Sequence, residues 1–450
     1  MDRLQRRYAF ISIKLDTFQS MQTAPKEKEI FDEELVSQPP AYDRSTVSVN
    51  GIEVLYQESV NDGWLNVYDG FRILSQISES ENSSGYTRMI LVSEKSGYPQ
   101  LYLVESQFSR YRIRPLASGT YCVIMEHPIE IDEENEFVYF LAKTSCPTRT
   151  DLCRVSYRQS DTPNETLPSP EILLRHKDWS ITNFHSLFSS SKSIDKVIVC
   201  WSSCIHGIRW ETHHIAKTGS SIITGGPSKI DVDPTRETGV KRLSKIILKN
   251  TVNGFKKSEY FNKDLITVPL NEDIPKPIFF EFLSADGITN IHGSYYLPEN
   301  HISGKKYPTI LCVYNGPQVQ LVSKELRLAR LSRYWVAVKL GFLVVFIDGR
   351  GSANRGVQFE QSILNGKLGQ MELDDQLRGL DWLSAHKGLI DVNRICIQGW
   401  SYGTIFMIIF FKLCRWIHVV DGFGEVSDSL QIGLRWCCRY PMGIVRYCVH

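Results

Sequence analysis

The 450-residue sequence has no surplus of either charge: Lys plus Arg number 51 and Asp plus Glu 50. A chain so balanced creates no field that would recruit nucleic acid or anionic lipid, and neither is expected as a partner. No apolar run approaches the ~20 residues that cross a bilayer. The longest, "GFLVVFI" (341–347) and "TIFMIIFF" (404–411), fall well short. Behind "MDRLQRRYAFISIKLD" there is no apolar leader and no cleavage site. That predicts a cytoplasmic chain, or one whose true N-terminus is missing. The 11 cysteines include no C-x-x-C pair and no metal-ligand spacing, so no metal site is expected and most are expected to be buried thiols. Little chain also follows the most suggestive motif: 49 residues remain after Ser401.

What is present in residues 1–265 reads as β-structure, with no long helical period. Short alternating or aromatic-rich runs recur: "IEVLYQES" (52–59), "WLNVYDGFRIL" (64–74), "TRMILVSEK" (87–95), "QLYLVES" (100–106), "EFVYFLAKT" (136–144), "DLCRVSYR" (151–158) and "KVIVCWSS" (196–203). Turn-formers separate them. "WLNVYD", "QLYLVE" and "DLCRVS" make a loose repeat that begins at 64, 100 and 151. Those spacings bracket a four-stranded propeller blade, and a β-sandwich is the other architecture with so many short strands.

The pattern changes near residue 274. "IPKPIFFEFLSADG" (274–287), "HGSYYLPEN" (292–300), "YPTILCVYNGP" (307–317), "FLVVFIDGRG" (342–351) and "RICIQGWS" (394–401) read as strands. Helical spacing fills 324–341. In 371–388, Leu373, Leu377, Leu380 and Leu383 share a helical face and Gly388 is a stop. Alternation of strand and helix predicts a mostly parallel sheet with helices on its faces.

Gly399-Trp400-Ser401-Tyr402-Gly403 has the G-x-S-x-G form of a nucleophile elbow. The pattern arises often by chance, and its placement is what gives it meaning. An elbow sits between a buried strand and a helix, where a tight turn lifts the serine hydroxyl above the sheet. "RICIQ" precedes the motif and a helix-compatible run follows it. The helix start would present the Tyr402 backbone N–H to a developing oxyanion.

Four stretches, "YPTILCVYNGPQVQLV", "GFLVVFIDGRGSANRGVQFE", "GQMELDDQLRGLDWL" and "IQGWSYG", resemble the prolyl oligopeptidase family of serine peptidases. Within it they are most similar to the cytosolic dipeptidyl peptidases. "VLYQESVNDGWLNVYDGF", "GYPQLYLVE" and "FVYFLAKT" extend the resemblance over about residues 45 to 403. The resemblance implies a β-propeller capping an α/β-hydrolase domain. It implies release of N-terminal dipeptides with Pro or Ala in second position, no metal or organic cofactor, and a possible homodimer. By motif Ser401 is the nucleophile, and the Tyr314 hydroxyl joins the Tyr402 N–H in the oxyanion hole. The implied organisation is a partial propeller over 1–265, the N-terminal part of the hydrolase domain over 275–403, and an unrecognised tail over 404–450. At ~45 residues per blade the first part supplies five or six blades, short of the family's full ring.

The departures are specific. The family has Gly or Ala where this sequence has Asn315, Asn where it has Gly349, and Gly where it has Thr404. The triad Asp and His and the aromatic wall of the proline pocket belong to a stretch with no counterpart after Thr404. Asp421, Glu425, Asp428, His418 and His450 are the acids and histidines available there. The order Ser, acid, His admits Asp421 or Asp428 with His450. Too few residues remain, however, for the two βα units that separate such residues, at roughly 30 residues each. His418 as a base is outweighed by an ordinary histidine. Glu33-Glu34 and Glu133-Glu134 are Glu-Glu pairs, but neither sits in the family's motif for gripping a substrate ammonium, and both are expected to be surface carboxylates. Cys414, Cys437, Cys438 and Cys448 concentrate 4 of the 11 cysteines in the tail. Such a tail reads as translation across a wrong exon boundary. Two functional expectations follow: a dipeptidyl peptidase represented by an incomplete, inactive chain, or a non-catalytic isoform that acts in interaction or dimer modulation.

Overall fold

A computed structural model describes residues 5–13, 52–75, 86–215, 261–403 and 446–448, apart from 69, 109, 125, 128, 159–166, 189–192, 263–264 and 271. The chain divides into two compact units. One comprises Met1–Glu94, Gln100–Ser118 and Tyr157–Pro168; the other comprises Lys95–Pro99, Gly119–Ser156 and Ser169–His450.

In the first unit β1 (Arg7–Ile13) pairs antiparallel with β2 (Ile52–Ser59). A four-stranded antiparallel meander follows in chain order: β3 (Arg72–Ile73), β4 (Thr87–Ser93), β5 (Gln100–Gln107) and β6 (Arg110–Pro115). Tyr56, Met89, Leu91 and Val104 form its core. The carboxylate of buried Glu58 accepts hydrogen bonds from the hydroxyls of Tyr8 (2.8 Å), Tyr56 (2.7 Å) and Ser93 (2.8 Å). The predicted strand over 64–74 pairs only at Arg72–Ile73. Upstream of it the Asn66 side-chain amide donates instead to the Glu94 carboxylate at 3.0 Å. A polar anchor there takes the place of a strand ladder.

The second unit begins with two more sheets. In the first, β7 (Cys122–Val123), β9 (Phe137–Lys143), β10 (Asp151–Ser156) and β11 (Glu171–Leu174) run in the order β11-β10-β9-β7, and β8 (Glu130–Asp132) also pairs with β9. In the other, β12 (Ser180–Phe188), β13 (Ile194–Ser203), β14 (Gly207–His214), β15 (Phe261–Asn262) and β16 (Leu265–Pro269) run β12-β13-β14-β16-β15. Tyr139, Leu152, Phe184, Val197 and Trp201 lie in one shared core, so these two sheets pack face against face. These antiparallel meanders are propeller-like. "QLYLVE" and "DLCRVS" occupy β5 and β10, each the third strand of its meander, whereas the described residues of "WLNVYD", 64–68, lie outside any strand.

The remaining sheet carries the elbow. Its order is β17 (Ile278–Leu283), β18 (Asn290–Tyr296), β20 (Leu343–Asp348), β19 (Tyr307–Val313), β21 (Ile390–Gly399) and β22 (Arg446–Cys448). The expectation of a mostly parallel sheet is corrected. Only β20-β19-β21 are parallel, while β17-β18, β18-β20 and β21-β22 are antiparallel. The connections explain this. The short 284–289 turn can join β17 to β18 only as a hairpin. The two parallel pairs, β19 with β20 and β19 with β21, arise from consecutive helical crossovers: Leu328–Lys339 connects β19 to β20, and Gln370–Lys387 connects β20 to β21 on the other side of β19. Every residue of β20 is buried, as the continuous apolar run requires of a strand covered on both faces. Leu343, Val345 and Ile347 share a core with Leu373, Leu380 and Leu383 of the second helix. Val344 and Phe346 pack with Val338 of the first. Gly388 ends the second helix in a left-handed conformation, φ 63°. Among the described residues no helix is long and apolar enough to cross a membrane.

Candidate active site

The site begins where two parallel strands stop at the same level. Val313, the last residue of β19, is registered with Gly399, the last of β21. Tyr314 and Trp400 therefore leave the sheet side by side. Trp400 is half exposed. Ser401 then takes a left-handed backbone, φ 53°, which costs a side-chain-bearing residue on the order of 1–2 kcal/mol. The Gly403 N–H closes the turn on the Trp400 carbonyl at 2.9 Å, and a helical turn starts at Tyr402. The turn lies tight against β19: a Cβ on Gly403 would sit 2.4 Å from the Val313 carbonyl oxygen. The motif's last glycine is thus fixed by close approach to a neighbouring strand. Ser401 is left exposed above the sheet.

Tyr314 and Tyr402 come together, with ring centroids 6.0 Å apart. Gly316 makes room for the second ring, since a Cβ there would lie 2.5 Å from a Tyr402 ring carbon. The Tyr402 hydroxyl donates to Glu372 Oε1 at 2.6 Å. Glu372 Oε2 accepts the Gly369 N–H at 2.8 Å and so caps the Gln370–Lys387 helix. One fully buried carboxylate therefore starts a helix and holds an elbow residue. Burial, together with the Glu372 carboxylate, pushes the Tyr402 phenol well above its ordinary value.

Burial also raises the Glu372 pKa above its ordinary 4.5, outweighing the hydrogen bonds from Tyr402 and Gly369 that pull it down. The folded chain then keeps this proton to higher pH than the unfolded chain. Its contribution is most favourable below the unfolded value and is lost as pH rises through the folded one. Glu372→Gln should remove that dependence. From about pH 4.5 to 7 the stability of wild type relative to the Gln variant should fall. Urea unfolding across that range checks it, and a flat or rising difference refutes it.

A second network lies beneath. Arg350 forks onto Asp375 through Nε (2.9 Å) and Nη2 (2.8 Å), its backbone N–H reaches the same carboxylate (2.9 Å), and its Nη1 pairs with Asp286. The Asp348 carboxylate accepts the backbone N–H groups of Leu321 (2.9 Å) and Val322 (2.6 Å). The segment after Tyr314 is thereby tied to the end of β20. The same segment meets the β9–β10 sheet, where buried Lys143 lies 3.8 Å from Glu325.

Of the sequence candidates, Ser401, Tyr402 and Tyr314 converge. Glu133 and Glu134 lie in the turn between β8 and β9, with Glu134 exposed. Glu33, Glu34, His418, Asp421, Glu425, Asp428, His450, Cys414, Cys437 and Cys438 lie outside the described residues. Among the described residues no group of three or more His, Cys, Asp or Glu is placed to hold a metal ion. Sequence reasoning missed Glu372 and the Arg350–Asp375 fork. The available signal was an acid three residues after a glycine at a helix start.

Comparisons with known proteins agree on the chain's relatives. The model of the Prolyl oligopeptidase family matches residues 329–412, and that of the Dipeptidyl peptidase IV (DPP IV) N-terminal region matches residues 33–175. Dipeptidyl peptidase 8 of Homo sapiens is 30% identical over 373 residues, covering 78% of this chain and 36% of that protein. Its Mus musculus counterpart is 29% identical over 380 residues, with the same coverage. A probable dipeptidyl-aminopeptidase B of Ajellomyces capsulatus (strain H88) is 38% identical over 125 residues, 28% of this chain and 13% of that protein. The chain spans little more than a third of the length of the two dipeptidyl peptidase 8 proteins.

Proposed function

The chain belongs to the prolyl oligopeptidase family of serine peptidases, and on that premise we propose that Ser401 is the nucleophile of a dipeptidyl aminopeptidase site. In this reading residues 1–265 are propeller blades, 275–403 are the N-terminal part of the hydrolase domain, and the protein is cytoplasmic. The substrates are peptides with Pro or Ala in second position. The Ser401 hydroxyl attacks the carbonyl after that residue. The Tyr402 N–H and the Tyr314 hydroxyl donate to the oxyanion of the tetrahedral intermediate. The single observation that carries the reading is the left-handed backbone of Ser401 at the end of β21, beside the end of β19. Strain of this kind is retained where a side chain must be presented.

Attack also needs a base to take the serine proton and return it to the leaving amine. The family match ends at residue 412, and in this reading the residues beyond it hold no counterpart of the family segments that carry the acid and the histidine. The elbow is therefore proposed as built but unpowered in the 450-residue polypeptide. A native species carrying those segments would be the enzyme. A native species of this mass would be a non-catalytic partner, for instance in the family's homodimers.

A fluorophosphonate probe, which labels activated serines, separates these. The purified 450-residue chain should stay unlabelled. Intact-mass analysis of the native protein identifies which species exist, and a longer one should take the label on the peptide containing Ser401. Label on any other serine of that species would refute the nucleophile assignment. Label on the 450-residue chain that Ser401→Ala abolishes would refute the missing base and direct attention to His418 or His450.

A further inference from the structure

Asn315 and Gly349 lie 34 positions apart in the chain and touch in the fold. Asn315 is 1% exposed and adopts φ 52°, a left-handed conformation that glycine enters freely and asparagine more readily than most residues. Its Oδ1 accepts the Gly349 N–H at 2.6 Å, and its Nδ2 donates to the Arg350 carbonyl at 3.4 Å. A Cβ on residue 349 would lie 2.9 Å from Asn315 Nδ2, 3.1 Å from Asn315 Oδ1 and 2.9 Å from Asp375 Cβ. A side chain at 349 and the Asn315 carboxamide therefore claim the same volume.

We infer that Asn315 and Gly349 are a reciprocal pair. The carboxamide at 315 fills the space that a side chain at 349 would take, and it clamps the turn carrying Tyr314 to the end of β20. Glycine at 349 leaves room for one carboxamide at this buried site, and Asn315 supplies it. Asn315 is thus a positioning residue, acting on Tyr314 through the backbone. The turn is held from both sides, by Asn315 against β20 and by the Tyr402 ring against Gly316. The pairing stands whether or not Ser401 is a nucleophile.

The test is a double-mutant cycle in the 450-residue chain: Asn315→Gly, Gly349→Asn, and both together. Hydrogen exchange of the Gly349 amide and urea unfolding are the two readouts. In Asn315→Gly the Gly349 amide should exchange on the order of tenfold faster, because a buried donor has lost its acceptor, while amides of neighbouring β19 keep their protection. Gly349→Asn should lower the folding equilibrium constant by on the order of tenfold or more through overpacking. The double variant should recover more than half of that loss, the residual being the contact with Asp375 Cβ. If Gly349→Asn alone does not fold, folding of the double variant is the expected rescue. Losses that simply add, a double variant that also fails to fold, or an unchanged Gly349 amide in Asn315→Gly would each overturn the pairing.

Discussion

Given a Gly-Pro or Ala-Pro reporter, the purified 450-residue chain should release product no faster than its Ser401→Ala variant. The elbow supplies a raised serine, and Tyr314 stands 6.0 Å from Tyr402, ring to ring. Neither feature removes a proton. Without a general base the Ser401 hydroxyl stays protonated at neutral pH, and no imidazolium forms to protonate the leaving amine. In a well-studied triad, loss of the base alone costs about as much as loss of all three members, on the order of a millionfold in turnover. An oxyanion hole can leave a residual ~10³–10⁴-fold over water, but only on substrate already bound and oriented. Of the two Glu-Glu pairs, Glu133-Glu134 sits in the turn between β8 and β9 and Glu33-Glu34 lies outside the described residues. Initial-rate assays at matched concentration decide the matter. Ser401-dependent hydrolysis would show that residues 404–450 supply a base.

Arg350→Met should be the most damaging single change to stability, at about 3–5 kcal/mol. Asp375 is fully buried, and its carboxylate holds the Arg350 guanidinium through two hydrogen bonds. Removing the cation leaves a buried carboxylate with only the backbone N–H groups of Arg350 (2.9 Å) and Ala285 (3.3 Å) as partners. A loss of that size consumes much of a domain's marginal stability, about 5–15 kcal/mol. Replacing both members, Arg350→Met with Asp375→Leu, should be far milder, because no charge is then stranded. Urea denaturation of the three variants gives the comparison. A single-variant loss below about 1 kcal/mol, the range of an exposed pair, would show that the fork is not a buried charge pair.

The asymmetry between what could be read and what could not has a consistent cause. β20 was legible as "FLVVFI" because a strand covered on both faces must be apolar throughout, and all its residues are buried. The helix face of Leu373, Leu380 and Leu383 was legible because 3.6-residue periodicity is a local property. Sheet direction was not: the alternation of strands and helices pointed to parallel pairing, but the hairpin through 284–289 turned β17 and β18 antiparallel. Nor did alternation settle pairing at 64–74, where the Glu94 carboxylate captures Asn66 and only Arg72–Ile73 joins a ladder.

The elbow, the strand before it and the family were all written locally in the residues, because a tight turn between strand and helix demands particular residue types at adjacent positions. The sequence could place Ser401, Tyr402 and Tyr314 in one site only through the resemblance. The tertiary structure alone decided what holds them there. Glu372 and Tyr402 are 30 residues apart, Asn315 and Gly349 34, and Arg350 and Asp375 25. Such contacts depend on how strands are ordered and how closely a helix approaches a sheet. These are properties of packing in three dimensions, and no local pattern encodes them.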